Sequence, residues 1–538
     1  MNMITSHQVL SQGLFAADNN EMTRFEQWNE NVSNVLGWAY GHSLGWVLIF
    51  ALMGGGIYFT VVTKAMQITM FGHMFTTIFG SRRDARDGIS SFQAFAIGLA
   101  DRVGTGNIAG VALAIVGGGP GAIFWMWVVA LIGMATGFIE STLGQIFKIK
   151  NVDGTYRGGP AFYIERGLGS RLWGAIFAVL LIFAYGVAFQ MIQANTMAQV
   201  LGESFGIKSW VSAVILLLLT VPFFLGGIRP VARTAEFIAP VMAVAYLVLT
   251  IIVIAVYYQQ VPVIFGWIFA YAFGVKTAAA GTIGGILVAL EQGVKRGLFS
   301  NEAGMGSVPN AAATATVTHP VKQGLVQSMG VFVDTIVVCT CTAFIILLSG
   351  IYNPTIDPKN IPDSDNGAAL TTSSIATIGD WAQPMLVIII LVFGYSTILG
   401  NYAYAEGNVK YLLGVKNKGI GLAILVGGAV FLGAILSLKA VWAVADWATG
   451  LMAVVNLVAI TILGKWALGA LADYKEQLKT KAPEDIYFCS TDNPYLPGKL
   501  DTEVWNLATV QADVRADAQA QNRPHDNAPL LERLIDSE

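Results

Sequence analysis

Charged residues are scarce in this sequence. Only 12% of its 538 residues are charged, whereas 55% are hydrophobic. A soluble domain carries about twice that share of charge, so this composition excludes an ordinary soluble protein. Many apolar runs exceed the roughly 18 residues that a membrane-crossing helix needs. The sequence therefore predicts an all-α polytopic membrane protein surrounded by lipid, and no nucleic-acid partner is expected.

Cysteine and histidine are also rare, and their positions exclude several kinds of site. Cys339 and Cys341 lie inside an apolar run and Cys489 lies in a polar tail, which fits neither a disulfide framework nor a CxxC metal site. His73 and His319 have no second ligand at metal-binding spacing. No Ser-His-Asp or paired-carboxylate arrangement stands out, so no catalytic residues are predicted. The N-terminus lacks the pattern of a cleaved signal peptide.

Eleven crossings are predicted from the apolar runs. They are 44–63, 91–121, 122–147, 172–201, 210–226, 235–258, 277–317, 325–351, 382–413, 420–438 and 441–463. The short aromatic stretch 261–276 suits a re-entrant or interfacial piece. We divide the chain into an N-terminal segment, 1–40, with an interfacial helix near 21–36, a transporter domain, 41–466, and a tail, 467–538. The tail is polar and is predicted to be largely disordered, with a short helix near 502–521.

Lysine and arginine are distributed unevenly between the two sides. One side holds Lys64, Arg82, Arg83, Arg86, Lys148, Lys150, Arg157, Arg166, Arg171, Arg229, Arg233, Lys322, Lys410, Lys416 and Lys418. The other holds only Arg24, Lys208, Lys276, Lys359 and Lys439. The positive-inside rule then predicts that the protein lies in a bacterial inner membrane, with its N-terminus outside and its tail in the cytoplasm.

The stretch Ser91–Gly121 is predicted to be a spanning helix that breaks in its middle. Gly104-Thr105-Gly106-Asn107 interrupts its apolar pattern, and glycine is a poor helix former. Unwound backbone inside a membrane is tolerated only where protein buries it or a polar cavity adjoins it. Glycine packing between helices is the competing explanation. The side-chain oxygens of Thr105 and Asn107 favour a binding site.

A second break is predicted at Phe299–Ser307, again with paired glycines. Its Glu302 is a carboxylate at a depth where charge is costly, which suggests function. A structural pair with Lys295 or Arg296, or a helix cap, would also explain it. Two breaks about five spans apart indicate inverted repeats, 91–258 and 277–463, with a binding site between them.

Further polar residues lie in apolar spans. Ser396 and Thr397 could offer hydroxyl oxygens to a cation, although such hydroxyls more often bond to carbonyls of their own helix. Gln190, Gln193 and Asn195 fit ligand contacts and interhelical hydrogen bonds equally well.

Several motifs, in order, resemble those of the alanine or glycine:cation symporter family. They are VGTGNIAGVALAI, GGPGAIFWMW, RGGPAFYIERGL, RGLFSNEAGMGS and CTCTAF, within roughly Gly45–Gly464. The resemblance implies a leucine-transporter-type fold with two inverted five-helix repeats and one extra N-terminal helix.

The resemblance also implies roles for individual residues. Those expected to bind substrate are Thr105, Gly106, Asn107, Gln193, Phe299, Ser300, Gly304, Thr397 and Asn401. Those expected to bind sodium are Ala100, Val103, Asn107, Ser300, Ser396 and Thr397. Phe299 is expected to lie over the substrate, with Asn401 and Gln193 facing its side chain. Some members have tryptophan at the position of Asn401.

The expected function is therefore symport of a small neutral amino acid with Na⁺, and not an enzymatic activity. Alanine and glycine are the first candidates, with serine and glutamine after them, and a single chain is expected to suffice. Asp101 or Glu302 could instead carry a proton, which leaves proton-coupled symport open. An integral-membrane enzyme and a channel are weaker hypotheses. The sequence shows no nucleophile–base pair for an enzyme, and neither a repeated filter motif nor a charge ring for a channel.

Overall fold

Helices make up nearly all of the regular structure in the computed structural model of this protein. It describes residues 24–80, 89–151, 154–224, 228–274, 281–352, 354, 366–414 and 419–520. The only strands in these ranges are β1, Ile149–Lys150, and β2, Tyr156–Arg157, which pair antiparallel in a loop.

The first half contains twelve α-helices and two π-helical segments. They are α1 Arg24–His42, α2 Leu44–Val62, α3 Met66–Thr69, α4 Phe71–Gly80, α5 Ser91–Arg102, a π segment Gly106–Gly110, α6 Val111–Gly118, α7 Gly121–Ile146, α8 Pro160–Leu168, α9 Arg171–Phe183, a π segment Ala184–Ala188, α10 Phe189–Phe205, α11 Ser209–Phe224 and α12 Ile228–Val256.

The second half contains ten more α-helices, one π segment and two short 3₁₀ turns. They are a 3₁₀ turn Tyr258–Gln260, α13 Val261–Ala272, α14 Gly281–Asn301, α15 Pro309–Ala312, α16 Pro320–Val331, a π segment Phe332–Cys339, α17 Thr340–Leu348, α18 Ala368–Ala376, α19 Ala382–Leu413, α20 Ile420–Ile435, α21 Leu438–Gln477, a 3₁₀ turn Pro483–Asp485 and α22 Leu507–Ala520.

The spans agree with the predicted crossings. Seven helices in the described part are long and apolar enough to cross a membrane, and the pair α5 and α6, bent by 48°, makes an eighth. The shorter apolar helices α11 and α20 and the broken pair α14 and α15 account for the remaining three predicted crossings. Large apolar side chains such as Leu218, Phe237 and Ile388 are exposed on the bundle, as a surface that faces lipid requires. The protein is therefore an integral membrane protein.

Two sets of five spans pack together in matching pairs. The first set begins with the broken pair α5 and α6, and the second with the broken pair α14 and α15. Helix α5 packs on α15, α6 packs on α14, α7 packs on α16, and α11 packs on α20. Equivalent members of the two sets thus meet each other, and the half-helices of the two breaks cross over. This arrangement is the one that inverted repeats predict, and it brings both breaks to the centre.

The expectation of a largely disordered tail is wrong for residues 467–520. Helix α21 continues through the predicted boundary at residue 466 to Gln477. Beyond it the Phe488 N–H donates to the Thr318 carbonyl at 2.9 Å, and Trp505 Nε1 donates to the Gln145 carbonyl at 3.0 Å. Both aromatic side chains are buried. A few aromatic anchors hold the segment down although its average composition is polar, and residues 521–538 lie outside the described part.

The two interfacial predictions are close to what is observed. Helix α1, Arg24–His42, lies where a helix near 21–36 was expected, and α13, Val261–Ala272, is a short helix with much exposed apolar surface. The predicted tail helix near 502–521 corresponds to α22. Residues 275–280, which include Lys276, lie outside the described residues, as do six others of the basic residues that set the predicted orientation: Arg82, Arg83, Arg86, Lys359, Lys416 and Lys418.

Candidate functional site

Among the residues that the structure describes, the backbone N–H of Gly106 at the first break has no protein acceptor. The Gly104 N–H donates to Asn107 Oδ1 at 2.9 Å, and the Thr105 N–H donates to Gln193 Oε1 at 3.1 Å. The Thr105 hydroxyl donates to the same Gln193 oxygen at 2.7 Å. Within the described part of the chain, no acceptor is found for the Gly106 N–H. A buried N–H is almost always paired, so Gly106 is a candidate contact for a ligand.

An aromatic stack closes over Gly106. A Cβ atom at Gly106 would lie 2.6 Å from Phe299 Cε1. The Phe299 ring stacks on Phe189 at 4.3 Å between centroids and packs tilted against Trp442 at 4.6 Å. The Phe299 ring therefore lies against the first break, and its expected position over a substrate stays a prediction.

An ion pair lies above this stack. Arg296 donates to both oxygens of Asp446, at 3.0 and 3.3 Å, and its guanidinium lies 4.3 Å from the Trp442 ring centroid. Beyond it opens a cavity of about 400 Å³. Its lining includes Asn34, Trp38, Arg296, Asn366, Trp442 and Asp446. Trp442, which lines this cavity, packs against both Arg296 and the Phe299 ring that lies over the first break.

A polar cluster joins the two breaks to a third helix. Asn107 Nδ2 donates to Asp334 Oδ1 at 2.5 Å and to Ser300 Oγ at 3.0 Å. The Ser300 hydroxyl donates to Asp334 Oδ2 at 2.6 Å, as does that of Thr335 at 2.8 Å. All four residues are buried. The structure thus brings together Asn107 and Ser300, which were both predicted to bind sodium.

Sequence reasoning missed Asp334. It lies in the π segment Phe332–Cys339, and π segments often occur at functional sites. The available signal was a carboxylate inside an apolar span, the same signal that singled out Glu302. What the sequence could not show is that this carboxylate meets Asn107, which is 227 residues away in the chain.

The second break is held by a buried carboxylate that was also missed. Glu140 accepts hydrogen bonds from the N–H groups of Gly304 and Gly306, at 3.2 and 3.1 Å. Asn456 Nδ2 donates to Glu140 and to the Gly304 carbonyl, both at 2.9 Å. The φ angles of Glu302, Gly304 and Gly306 are all positive, at 59°, 90° and 81°. Since both polar backbone groups of Gly304 are already paired, the structure does not support Gly304 as a substrate contact.

The hydroxyls of Ser396 and Thr397 on α19 make different hydrogen bonds. Thr397 Oγ1 donates to the Ala100 carbonyl at 2.9 Å, which joins α19 to the end of α5 as predicted. Ser396 Oγ donates instead to the Phe393 carbonyl of its own helix at 2.9 Å. Adjacent helical residues point about 100° apart, so only one can face the break. Ser396 is therefore not brought to the predicted sodium site, while Val103, three residues after Ala100, is buried.

The remaining polar residues have separate roles. Gln190 Nε2 donates to the Ile398 carbonyl, and Asn195 Nδ2 donates to the Gly433 and Leu436 carbonyls. These are interhelical hydrogen bonds. Gln193 Oε1 accepts from the N–H and the hydroxyl of Thr105 at the first break, and its expected position facing the substrate side chain stays a prediction.

Asn401 has no hydrogen-bond partner among the described residues, and Glu302 accepts one hydrogen bond there, from the Ser307 hydroxyl. Asn401 is fully buried, and both of its amide atoms lack a hydrogen-bond partner within the described residues. The suggested pairing of Glu302 with Lys295 or Arg296 is wrong, because Lys295 pairs with Glu291 and Arg296 pairs with Asp446.

Comparison with known proteins identifies the family. A family model described as the sodium:alanine symporter family matches residues 29–488. The "Probable sodium/glutamine symporter GlnT" of Bacillus subtilis (strain 168) is 45% identical over 469 residues, which cover 87% of this chain and 95% of that protein. The "Amino-acid carrier protein AlsT" of the same strain is 40% identical over 459 residues, or 85% of this chain and 94% of that protein. The "Sodium/proton-dependent alanine carrier protein" of Bacillus sp. (strain PS3) is 37% identical over 414 residues, or 75% of this chain and 92% of that protein. This chain belongs to the sodium:alanine symporter family, whose members are cation-coupled amino-acid transporters.

Proposed function

We propose that this protein is a secondary active symporter that imports a small neutral amino acid together with Na⁺. The observation that carries the proposal is the meeting of two helix breaks. Gly106, whose N–H has no acceptor among the described residues, lies against Phe299, and Asn107 beside it contacts Ser300 and Asp334. One break thus offers a place for a carboxylate, and the cluster next to it offers a place for a cation.

The carboxylate of the amino acid is assigned to the first break. Gly106 begins the second half of the broken helix, where unpaired N–H groups and the positive end of the helix dipole favour an anion. Gln193 holds the neighbouring Thr105 in place through two hydrogen bonds. The ring of Phe299 covers this position and keeps water away from it.

The cation is assigned to Asn107, Ser300 and Asp334. The carboxylate, hydroxyl and amide oxygens are hard ligands of the kind that alkali and alkaline-earth cations prefer. The Asn107 amide now directs its nitrogen at Asp334, and rotation of that amide would present its oxygen to the ion instead. Ala100 and Thr397, with Val103 three residues farther along the chain, form a second candidate site from which Ser396 is left out.

The proposed orientation decides which side of the membrane each end of the site faces. With the N-terminus outside the inner membrane, the cavity above Arg296 opens to the exterior. The folded tail then lies on the cytoplasmic side. Phe299, Trp442 and the ion pair of Arg296 with Asp446 then close the site from the outside in the conformation described.

The test is Na⁺-driven uptake of labelled alanine by the purified protein in liposomes. We expect saturable uptake that requires an inward Na⁺ gradient and stops when an ionophore removes it. Uptake that persists without Na⁺ and follows an imposed pH gradient would assign the coupling to protons. Chemical turnover of the amino acid, or single-channel currents, would contradict symport.

The two hydroxyls of α19 are expected to differ in their effect on sodium. Thr397→Val removes the hydroxyl that reaches Ala100 and keeps the shape of the side chain. It should therefore raise the Na⁺ concentration for half-maximal uptake about tenfold, which corresponds to a loss of about 1.4 kcal/mol in the free energy of Na⁺ binding. Ser396→Ala is the matched control, because in the described part of the chain the Ser396 hydroxyl bonds only to the Phe393 carbonyl of α19 and to the Met242 sulfur. Equal effects of the two substitutions would contradict the second candidate sodium site.

Substrate selectivity is expected to depend on Asn401. Its buried amide has room for hydrogen bonds to a polar substrate side chain, so the native protein should accept serine or glutamine as well as alanine. The tryptophan of Asn401→Trp fills more volume than the asparagine, so this substitution should shift the substrate preference toward glycine and alanine. The expected change in preference is about 10–200-fold. The measurement is competition by unlabelled amino acids against labelled alanine. Identical competition profiles for both proteins would show that Asn401 does not line the substrate pocket.

A further inference from the structure

Thr342 joins the first break to the span that carries Asp334. The Thr342 hydroxyl donates to the Asn107 carbonyl at 2.7 Å, and both residues are fully buried. A threonine hydroxyl inside a membrane helix usually bonds to a carbonyl of its own helix, as those of Thr220 and Thr250 do here. Thr342 instead contacts a residue 235 positions earlier in the chain. Its hydroxyl therefore serves the break and not its own helix.

Tyr246 lies behind Thr342 and fixes the direction of its hydrogen bond. The hydroxyl oxygens of Tyr246 and Thr342 are 2.7 Å apart, and Tyr246 is fully buried on α12. A threonine hydroxyl has one proton to donate, and the Asn107 carbonyl, which can only accept, receives it. Tyr246 is therefore the donor to Thr342. The Tyr246 ring packs edge-on against Phe393 of α19, at 5.7 Å between centroids. A directed chain of two buried hydrogen bonds thus runs from α12 to the break, and such bonds strengthen each other.

The π segment Phe332–Cys339 brings Asp334 and Thr342 to the same partner. Asp334 accepts from the side-chain amide of Asn107, whereas Thr342 donates to its backbone carbonyl. The two residues are eight positions apart. In an uninterrupted α-helix, such positions point about 80° apart. The wider turns of a π segment rotate the chain less per residue and reduce this angle. The distortion that places Asp334 in the proposed cation site thus also directs Thr342 at Asn107.

The bond from Thr342 does not depend on the side chain of Asn107. In the conformation described, Asn107 Oδ1 accepts from the Gly104 N–H and Nδ2 donates to Asp334. Rotation of the amide, which the proposed cation site needs, breaks both of these hydrogen bonds. The bond from Thr342 to the carbonyl survives the rotation, so it keeps the backbone of Asn107 beside Ser300 and Asp334.

We propose that Thr342 and Tyr246 are positioning residues of the cation site. They act through Asn107, because their hydrogen bonds hold its backbone while its side-chain oxygen turns to the ion. Loss of groups that orient the ligands of a metal ion typically lowers its affinity about 10–100-fold, and we expect this range for loss of the Thr342 hydroxyl. The inference rests on the proposed function, since it concerns the cation site described there.

Na⁺ binding to the purified protein tests these roles without transport. The measurement is the rise in melting temperature when Na⁺ replaces K⁺ at constant ionic strength. Thr342→Val keeps the shape of the side chain and removes the hydroxyl, so the same rise should need about 10–100 times more Na⁺. Tyr246→Phe leaves the bond from Thr342 to Asn107 and should need about 2–10 times more. Thr342→Ser keeps the hydroxyl and should respond to Na⁺ as the wild-type protein does.

Thr340→Val is the matched control on the same helix. The Thr340 hydroxyl accepts from Trp127 Nε1 of α7 at 2.8 Å, so its loss removes an interhelical hydrogen bond. This substitution should lower the melting temperature equally with and without Na⁺ and leave the Na⁺ concentration for the half-maximal rise unchanged. If Thr342→Val behaves in the same way, its hydroxyl is structural and the proposal is overturned.

Uptake into liposomes separates this proposal from the proposed function. Half-maximal uptake by Thr342→Val should need about 10–100 times more Na⁺, while uptake at saturating Na⁺ stays measurable. A wild-type melting temperature that does not respond to Na⁺ would overturn the cation site and this proposal together. A wild-type response that both variants share unchanged would overturn the positioning role alone. If Thr342→Val does not fold, Tyr246→Phe decides: a weakened Na⁺ response supports the proposal, and an unchanged one overturns it.

Discussion

The Gly106→Val substitution is expected to abolish amino-acid uptake while leaving the protein folded in the membrane. A Cβ atom at this position would lie 2.6 Å from Phe299 Cε1, and a β-branched side chain also restricts the backbone of the break. Overpacking costs about 1–3 kcal/mol. Loss of a hydrogen bond from the N–H to a charged carboxylate costs about 1.5–3 kcal/mol more. Together these losses correspond to a reduction in uptake of roughly 100-fold or more.

The measurement is uptake of labelled alanine, with membrane insertion followed by the amount of monodisperse protein after purification. Gly186→Ala is the matched control, because Gly186 is also a buried glycine in a π segment. Its added Cβ atom would lie at least 3.5 Å from every neighbour. Normal uptake by the Gly106→Val protein would show that the first break serves packing alone.

The Asp334→Asn substitution is expected to raise the Na⁺ concentration for half-maximal uptake strongly. It keeps the shape of the side chain but removes the negative charge that faces Asn107 and Ser300. Changes to groups around a bound metal ion typically reduce its affinity about 10–100-fold, and loss of a charged ligand should lie at the upper end of that range. The expected shift is therefore about 2–3 kcal/mol in the free energy of Na⁺ binding.

The check is uptake measured over a series of Na⁺ concentrations at constant ionic strength. Glu406→Gln provides the control, since Glu406 pairs with Lys410 one helical turn away on α19 and touches neither break. If Asp334→Asn leaves the Na⁺ dependence unchanged, the cluster of Asn107, Ser300 and Asp334 is structural, and the coupling ion binds elsewhere.

Much of the architecture could be predicted because it depends on local sequence. A membrane span needs a long apolar run, and a break needs residues that leave the helix without strain. Both breaks were therefore visible as glycine pairs with polar neighbours, at Gly104–Asn107 and Phe299–Ser307. The tail was misjudged because its average composition hides Phe488 and Trp505, whose burial orders the segment.

Within the site, the sequence could name candidates but could not pair them. It drew attention to Asp101 and Glu302 separately, as carboxylates in apolar spans, and it offered Lys295 or Arg296 as partners for Glu302. In the structure Glu302 Oε2 accepts from the Ser307 hydroxyl, and Arg296 pairs instead with Asp446, 150 positions away along the chain. Only the packing of two distant helices determines such a contact.

The sequence by itself determined that the chain lies in a membrane, where its helices break, and that the breaks recur in two sets of spans. These properties follow from hydrocarbon as a solvent, which requires every backbone polar group to be paired within the span or at a break. Only the tertiary structure decided which side chains meet at the breaks. Thr397 reaches Ala100 while its neighbour Ser396 does not, and Asp334 joins Asn107 and Ser300, because helix rotation and crossing set those contacts and leave no mark on local composition.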